Sequence, residues 1–157
     1  MKRFVLAMAI VLVPLVSLAD EIPLSGGQTL YLPIYSHLWY GDIKGKNPAL
    51  QHPLSILISI RNTDSKRSIR VTSARYYDTQ GKMVREYFST PRTLPPLGTI
   101  ELFVQRSDMS GGSGANFILN WEAAQPVNVP IVEGVHVDIL GNRTLSFLTT
   151  ARPINPD

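Results

Sequence analysis

Alternation of apolar and polar residues with a period of two, repeated in short stretches, restricts this chain to an all-β fold. The pattern is clearest in four stretches: Leu30 to Ile34, Leu54 to Ile60, Ile100 to Val104 and Phe117 to Trp121. Side chains on a strand alternate between its two faces, so each stretch predicts one buried face. No segment of helix length shows a helical period. We therefore predict strands throughout the globular part.

Turn signals separate these stretches, among 12 Pro and 11 Gly residues. We predict turns at Asn62–Asp64, Gly81 and Gly141-Asn142, and a stiff crossing between two sheets at Leu94–Gly98. Seven or eight short strands with such connections predict an antiparallel two-sheet sandwich of immunoglobulin-like type. A small barrel is the alternative, because strand spacing alone does not exclude it.

Two residues carry specific expectations about position within the sheets. Pro33 lacks an N–H group to donate to a ladder, which predicts that the strand from Leu30 to Tyr35 lies at a sheet edge. His136 alternates with Val135 and Val137 on a strand near Ile131–Ile139. If the two valines face the core, His136 lies at the surface or at an edge.

The first 19 residues resemble a signal peptide. Lys2 and Arg3 form a basic start, an apolar stretch from Phe4 to Leu18 follows, and Ser17-Leu18-Ala19 offers small residues before a cleavage point. The apolar stretch is shorter than the roughly 20 residues that span a bilayer. We predict export, with a single domain over residues 20–157, no transmembrane span after cleavage and a soluble periplasmic or secreted product. A retained N-terminal anchor is the alternative.

Charge and cysteine content limit the partners. The chain has 15 Lys and Arg, of which two lie in the leader, so 13 remain against 12 Asp and Glu. Composition therefore offers no argument for a nucleic-acid or anionic-membrane partner, and we predict no nucleic acid. The chain has no Cys. Disulfides and lipid attachment through a cysteine are thereby excluded, and stability must come from packing.

Four motifs resemble an uncharacterised exported bacterial family, the domain of unknown function 3124: Gly27–His37, Ser59–Asp64, Tyr76–Lys82 and Ser110–Phe117. The similarity extends over nearly the whole chain after the leader. It implies an exported or lipid-anchored protein with no assigned activity, and it offers no catalytic or binding residues. Relatives with a lipid-attachment cysteine differ from this chain, for which the resemblance implies a soluble form.

A long segment, Ser36 to Pro53, joins two strands without a clear strand of its own. Long connections in compact domains are more often functional or mobile than short ones. The segment contains aromatic, acidic and imidazole side chains of the kinds that bind a sugar, a peptide or an anion. The candidate residues are His37, Trp39, Tyr40, Asp42 and His52. The alternative is that Leu38 and Trp39 cover the open end of the sandwich while the charges remain in water.

A glycine-rich segment, Asp108 to Asn116, is the second candidate. Successive glycines turn backbone N–H groups towards an anion in some phosphate-binding loops, so Gly111, Gly112, Ser113 and Asn116 are candidate ligand or partner contacts. The segment lacks the Lys-Ser/Thr pair of a P-loop, and it lacks the second Gly and the strand–turn–helix context of a nucleophile elbow. An ordinary tight turn is the alternative.

Catalytic and metal chemistry have weaker support. His37, His52 and Asp42 would supply two imidazoles and a carboxylate only if their segment folded back, and the sequence gives no sign that it does. We predict no metal site, no cofactor and no catalytic residues.

Three functions remain open. The first is a non-catalytic periplasmic module that binds an unknown protein, peptide or glycan of the cell envelope through its loops or an edge strand. The second is a structural or accessory envelope component. The third is a hydrolase built around His37, Asp42 or Ser113.

Overall fold

The computed structural model describes residues 23–155, and the predicted signal peptide lies outside them. Twelve strands occur in this part of the chain: β1 Leu24–Pro33, β2 His37–Tyr40, β3 Leu50–Pro53, β4 Ser55–Arg61, β5 Ile69–Tyr77, β6 Met83–Glu86, β7 Arg92–Leu94, β8 Thr99–Val104, β9 Asn116–Asn128, β10 Ile131–Leu140, β11 Arg143–Thr150 and β12 Arg152–Ile154. No helix in residues 23–155 is long and apolar enough to cross a membrane.

The strands form two main antiparallel sheets and one small hairpin. The first sheet has the order β12-β1-β9-β5-β6, with β7 also paired to β5. The second has the order β11-β10-β4-β8, and β2 pairs with β3 alone. The prediction of an antiparallel two-sheet sandwich is confirmed, and the described strands do not close into a barrel. Four short strands, β2, β3, β7 and β12, raise the count above the predicted seven or eight.

The core lies between the sheets and comes from the alternating stretches. Leu30, Leu32 and Ile34 are buried on the first sheet, as are Phe117, Leu119 and Trp121, and they meet Ile56, Ile58 and Ile60 of the second. Tyr76 stacks on Phe117 with ring centroids 5.2 Å apart. A core of this kind holds a cysteine-free domain together through apolar burial and close packing.

The predicted turns are confirmed. Gly81 has a φ of +79° in the β5–β6 hairpin, and Gly141 has a φ of +56° between β10 and β11. Asn62 and Asp64 bond backbone N–H groups two or three residues ahead of each. The bonds that the Asp64 carboxylate accepts from the N–H groups of Lys66 and Arg67 hold its pKa below the ordinary value, against the opposing effect of burial. Leu94–Gly98 carries the chain from the first sheet to the second.

The prediction that the strand from Leu30 to Tyr35 lies at a sheet edge is wrong where β12 pairs with β1. Strand β1 lies between β9 and β12, and β12 pairs with Thr29, Leu30 and Tyr31. The rest of β1, Pro33 included, has no strand on the β12 side, which is compatible with the missing N–H group of Pro33. The short C-terminal strand that covers this edge carries Pro153 and has no apolar alternation, so it left little signal in the sequence.

The prediction for His136 is also wrong. Its side chain faces inwards, in a row with Val132, Gly134 and Asp138, and it is fully buried. The backbone N–H of Tyr35 donates to its Nε2 at 3.1 Å, its Nδ1 lies 3.1 Å from the Gly134 carbonyl oxygen, and its ring stacks on Phe147. Both nitrogens are therefore satisfied, which allows a neutral imidazole to be buried.

The opposite face of the second sheet carries an apolar row across all four strands. Strand register places Leu148 opposite Val135, Val135 opposite Leu57, and Leu57 opposite Phe103. Phe103 and Leu148 are more than half exposed, and the other two are partly covered. We call these four residues the outer row.

Candidate functional site

The segment from Ser36 to Pro53 folds as the β2–β3 hairpin. Its two ends are fastened to the body, because the Ser36 N–H donates to the Gly112 carbonyl at 3.1 Å and the Leu54 N–H donates to the Ser36 carbonyl at 2.9 Å. Register pairs His37 with Pro53 and Leu38 with His52. Residues directly opposite each other in an antiparallel pair point to the same side. His37 and Trp39 thus share one face of the hairpin, and Leu38, Tyr40 and His52 share the other.

The first face contacts the glycine-rich segment. Trp39 Nε1 donates to Ser113 Oγ at 3.1 Å, and Ser36 Oγ donates to the Gly112 carbonyl at 2.9 Å. The Trp39 ring packs edge-on against His37, with centroids 5.2 Å apart. The two segments singled out in the sequence therefore lie at the same end of the sandwich.

The glycine-rich segment is packed against the body. The Gly111 carbonyl accepts from both the N–H and the hydroxyl of Thr79, and the Gly114 N–H donates to the same hydroxyl at 3.0 Å. A Cβ on Gly111 would lie 2.0 Å from the hydroxyl oxygen of Tyr76. Burial and the nearby charge of Asp108 raise the pKa of Tyr76 to about 12. Close approach and a turn explain these glycines, and a shallow hollow of about 410 Å³ remains beside His37 and Trp39.

The second face of the hairpin borders a larger concavity, which we call the groove. Its other wall is the end of the β10–β11 hairpin. The groove encloses about 880 Å³ and is lined by Leu38, Trp39, Tyr40, His52, Asp138, Leu140, Asn142, Arg143, Thr144 and Leu145. Half of the lining residues are aromatic or aliphatic, and the other half are polar or charged. This combination is typical of ligand sites.

Asp138 is the buried charge of the groove, at 4% exposure. One carboxylate oxygen lies 2.7 Å from His52 Nε2, and the other accepts from Arg106 Nε at 2.6 Å. Burial alone raises the pKa of this carboxyl, but the hydrogen bond and charge of Arg106, together with His52, outweigh it and hold the pKa below the ordinary value. Asp138 therefore remains an anion that joins β10 to β3 and to the segment after β8.

This pairing orients the imidazole of His52. With Nε2–H donating to Asp138, the neutral ring presents Nδ1 as an acceptor, and a protonated ring would present a donor there. Tyr40 packs edge-on against the ring at 6.0 Å between centroids. His52 is about one-third exposed. The arrangement supplies one oriented polar group beside an aromatic wall.

The other predicted residues are dispersed. Asp42 is exposed in the turn of the β2–β3 hairpin, His37 is buried, and Asn116 begins β9 opposite Pro33. Among residues 23–155 no hydrogen bond or ion pair joins His37, Asp42 and Ser113. His37 and His52 lie on opposite faces of the hairpin, and the described chain has no group of three His, Asp or Glu side chains that could hold a metal ion.

Sequence reasoning found the hairpin side of the groove but missed Asp138, Leu140, Arg143 and Leu145 of the other wall, and also Arg106, which contacts Asp138. A signal was present for Asp138. Period-two spacing puts His136 and Asp138 on one face of β10, and two polar side chains on the same face of a strand indicate specific partners if that face is buried. Arg106 left no comparable signal, because its contact with Asp138 joins residues 32 positions apart.

Comparisons with known proteins give a family and little else. No curated protein matches the chain. The crystal structure of Thermotoga maritima 1070 is similar over 82% of this chain and 96% of its own, at 11% identity and a TM-score of 0.44, a likeness that carries no argument about function. A family model, described as a protein of unknown function, matches residues 27–154. The chain therefore belongs to the DUF3124 family, as the sequence motifs predicted.

Proposed function

We propose that this protein is an exported, non-catalytic binding module of the cell envelope whose ligand occupies the groove. The observation that carries the proposal is the charge arrangement of the groove. Asp138 is buried between His52 and Arg106, and aromatic and aliphatic walls rise on both sides of it. A concave apolar site with a few fixed polar groups is the usual form of a ligand pocket.

The ligand class follows from the wall chemistry. Tyr40 is about half exposed and offers a ring face on which a sugar ring or an apolar peptide side chain can pack. His52, Asn142 and Arg143 offer hydrogen bonds at the floor and rim. A volume of about 880 Å³ accommodates a short glycan or a few peptide residues. We therefore propose a glycan or an extended peptide of the envelope as ligand.

The site is held on strands rather than on free loops. His52 belongs to β3, Asp138 to β10 and Arg143 to β11. Asp138 joins the two walls through its contacts with His52 and Arg106, so the groove keeps its width before a ligand arrives. Preorganised sites of this kind lose less conformational entropy on binding.

Quenching of tryptophan fluorescence by acrylamide tests the groove. The chain has two tryptophans: Trp39, which lines both the groove and the hollow beside the glycine-rich segment, and Trp121 in the core. We expect N-acetylglucosamine oligomers or peptides rich in aliphatic residues to protect Trp39 from the quencher in a saturable way. Tyr40→Ala removes a wall of the groove and abolishes the protection. Phe103→Ala, at a similarly exposed aromatic on the far face, leaves it unchanged.

Asp138→Asn tests the polar floor in the same assay. The amide keeps the shape but loses the charge that orients His52, and we expect about a tenfold weaker affinity for whichever probe binds, the equivalent of losing one charge-assisted hydrogen bond. The proposal fails if no probe protects Trp39, or if Tyr40→Ala and Phe103→Ala behave alike.

The outer row favours a second candidate, a structural or accessory component of an envelope assembly. Exposed apolar residues in register across a sheet form a flat surface suited to another protein. For this function we expect Phe103→Asn with Leu148→Asn to release the protein from a cross-linked envelope complex. The groove probes would then leave the melting temperature unchanged.

A further inference from the structure

The two hairpins that border the groove end in a cluster of exposed apolar side chains. We call the cluster the tip patch. Its residues are between 50% and 76% exposed and comprise Trp39, Tyr40, Ile43, Leu50, Ile139 and Leu140. Together they leave several hundred Å² of side-chain surface in water, a size at which apolar patches mark interaction sites.

Exposed cations accompany the tip patch. Lys44 and Lys46 lie in the turn between β2 and β3, and Arg143 begins β11 beside Leu140. Asp42 is the exposed acid of the same turn, and Asp138 is already neutralised by Arg106. The local balance is therefore positive, although the charge of the chain after the leader is nearly neutral.

The turn itself is suited to insertion into a polar–apolar boundary. Its backbone is partly self-bonded, since the Asn47 N–H donates to the Lys44 carbonyl at 3.1 Å. Glycines with positive φ at Gly41 and Gly45 shape the turn and leave Ile43 at 76% exposure. Trp and Tyr rings with one apolar and one polar side favour the headgroup region of a bilayer, and lysine stems extend from apolar surface to phosphate.

We propose that the tip patch docks onto a membrane surface that contains anionic lipids. Ile43, Leu50 and Leu140 enter the boundary between headgroups and acyl chains, while Lys44, Lys46 and Arg143 meet lipid phosphates. A second copy fits this surface less well, because tip-to-tip contact would bring like charges together. Strand β1 begins at the opposite end of the sandwich, where Leu24 pairs with Asn128, so the body of the domain stands away from the bilayer.

Co-sedimentation with vesicles tests the proposal. We expect the purified protein to bind vesicles made of equal parts of phosphatidylglycerol and phosphatidylcholine, and to bind vesicles of phosphatidylcholine alone at least about tenfold more weakly. Added salt reduces the difference, because it screens the lysines. Trp39 is at the boundary, so its emission shifts to shorter wavelength on binding.

Two variants separate this surface from the groove. Ile43→Asn with Leu50→Asn leaves the groove lining intact. We expect it to lower the affinity for anionic vesicles at least about tenfold, because each substitution removes an aliphatic side chain that binding would bury in the bilayer. Leu97→Asn is the matched control, because Leu97 is 68% exposed at the opposite end of the domain. For the charges, Lys44→Glu weakens binding and Lys66→Glu, at that opposite end, does not.

Three results would overturn the proposal. The first is a protein that binds neither type of vesicle at low salt. The second is equal vesicle binding by the Ile43→Asn, Leu50→Asn variant and by Leu97→Asn. The third is a change in molecular mass of that variant in analytical ultracentrifugation without a change in vesicle binding, which would identify the patch as a contact between two copies. Groove probes and vesicles are measured separately, so either function can fail alone.

Discussion

The glycine-rich segment and the groove lie on opposite sides of the same hairpin, yet they use their polar groups differently. In the glycine-rich segment Thr79, Ser36 and Trp39 bond the available carbonyl, N–H and hydroxyl groups, and Gly111 admits the Tyr76 ring. In the groove Asp138 and its two partners are held in place while the surrounding walls remain open. Close packing accounts for the glycines of a segment that resembles a binding motif in the sequence, and the open concavity comes from residues far apart in the chain.

The largest expected effect is the loss of stability caused by a substitution in the closely packed glycine-rich segment. Gly111→Ala puts a methyl group within 2.0 Å of the Tyr76 hydroxyl oxygen, and we expect a loss of about 3 kcal/mol in the free energy of unfolding, at the upper end for an overpacked site. Urea unfolding measures it. Gly26→Ala is the control, because nothing lies within 4 Å of its added Cβ. If the two variants are equally stable, the segment is looser than its contacts indicate.

The second-largest expected effect is a loss of stability at low pH. It comes from His136, which accepts a hydrogen bond from the Tyr35 N–H just before the β2–β3 hairpin. Burial lowers the pKa of His136 to about 4 from an ordinary value near 6.5, because the charged imidazolium is poorly solvated between Tyr35 and Phe147. The unfolded chain therefore binds more protons between these two pH values. The contribution of a neutral His136 is complete above pH 6.5 and is lost as the pH falls towards 4, by about 2 kcal/mol once partial solvent screening is allowed for.

Urea unfolding at a series of pH values from 4 to 7 checks this slope. The lowered pKa of Asp138 and of Asp64 keeps those carboxylates charged across most of the window, so they contribute little to it. His136→Gln keeps a polar side chain but removes the titration, and we expect a less stable protein with a flatter slope. An unchanged slope in that variant would assign the acid sensitivity to other groups.

The smallest effect tests the link between the two regions. The bond from Trp39 Nε1 to Ser113 Oγ is exposed, so its removal exchanges one hydrogen bond for another with water. Ser113→Ala should cost about 0.5 kcal/mol or less in the free energy of unfolding. A double-mutant cycle with Trp39→Phe gives the coupling directly. A coupling above about 1.5 kcal/mol would mean that the hairpin and the glycine-rich segment act as one unit.

Much of the fold could be predicted because local chemistry and tertiary structure agree. The alternation of Ile56, Ile58 and Ile60 matches their burial, and the turn at Gly81 requires the positive φ that glycine allows. The β2–β3 hairpin escaped prediction because its strands are four residues long and mix aromatic, imidazole and amide side chains without alternation. Pairing between β2 and β3 and packing on both sides stabilise it, and neither leaves a local pattern.

The assignment of the β10 faces failed for a related reason. Hydrophobicity favours Val135 and Val137 as the buried side, but the structure buries Gly134, His136 and Asp138 instead. Hydrogen-bond partners from Tyr35, His52 and Arg106 offset the cost of burying polar groups, and those partners come from other strands. Residue types at the groove could thus be inferred for one wall only.

The strand order of the first sheet has a consequence for when the sheet can fold. The earliest strand, β1, pairs with β9 and β12, which are completed roughly a hundred residues later during synthesis. Until then Leu30, Leu32 and Ile34 have no sheet to join, and long-range pairing of this kind folds slowly. The native pairing of β1 becomes available only after β9 has been made, so we expect the first sheet to form late in folding.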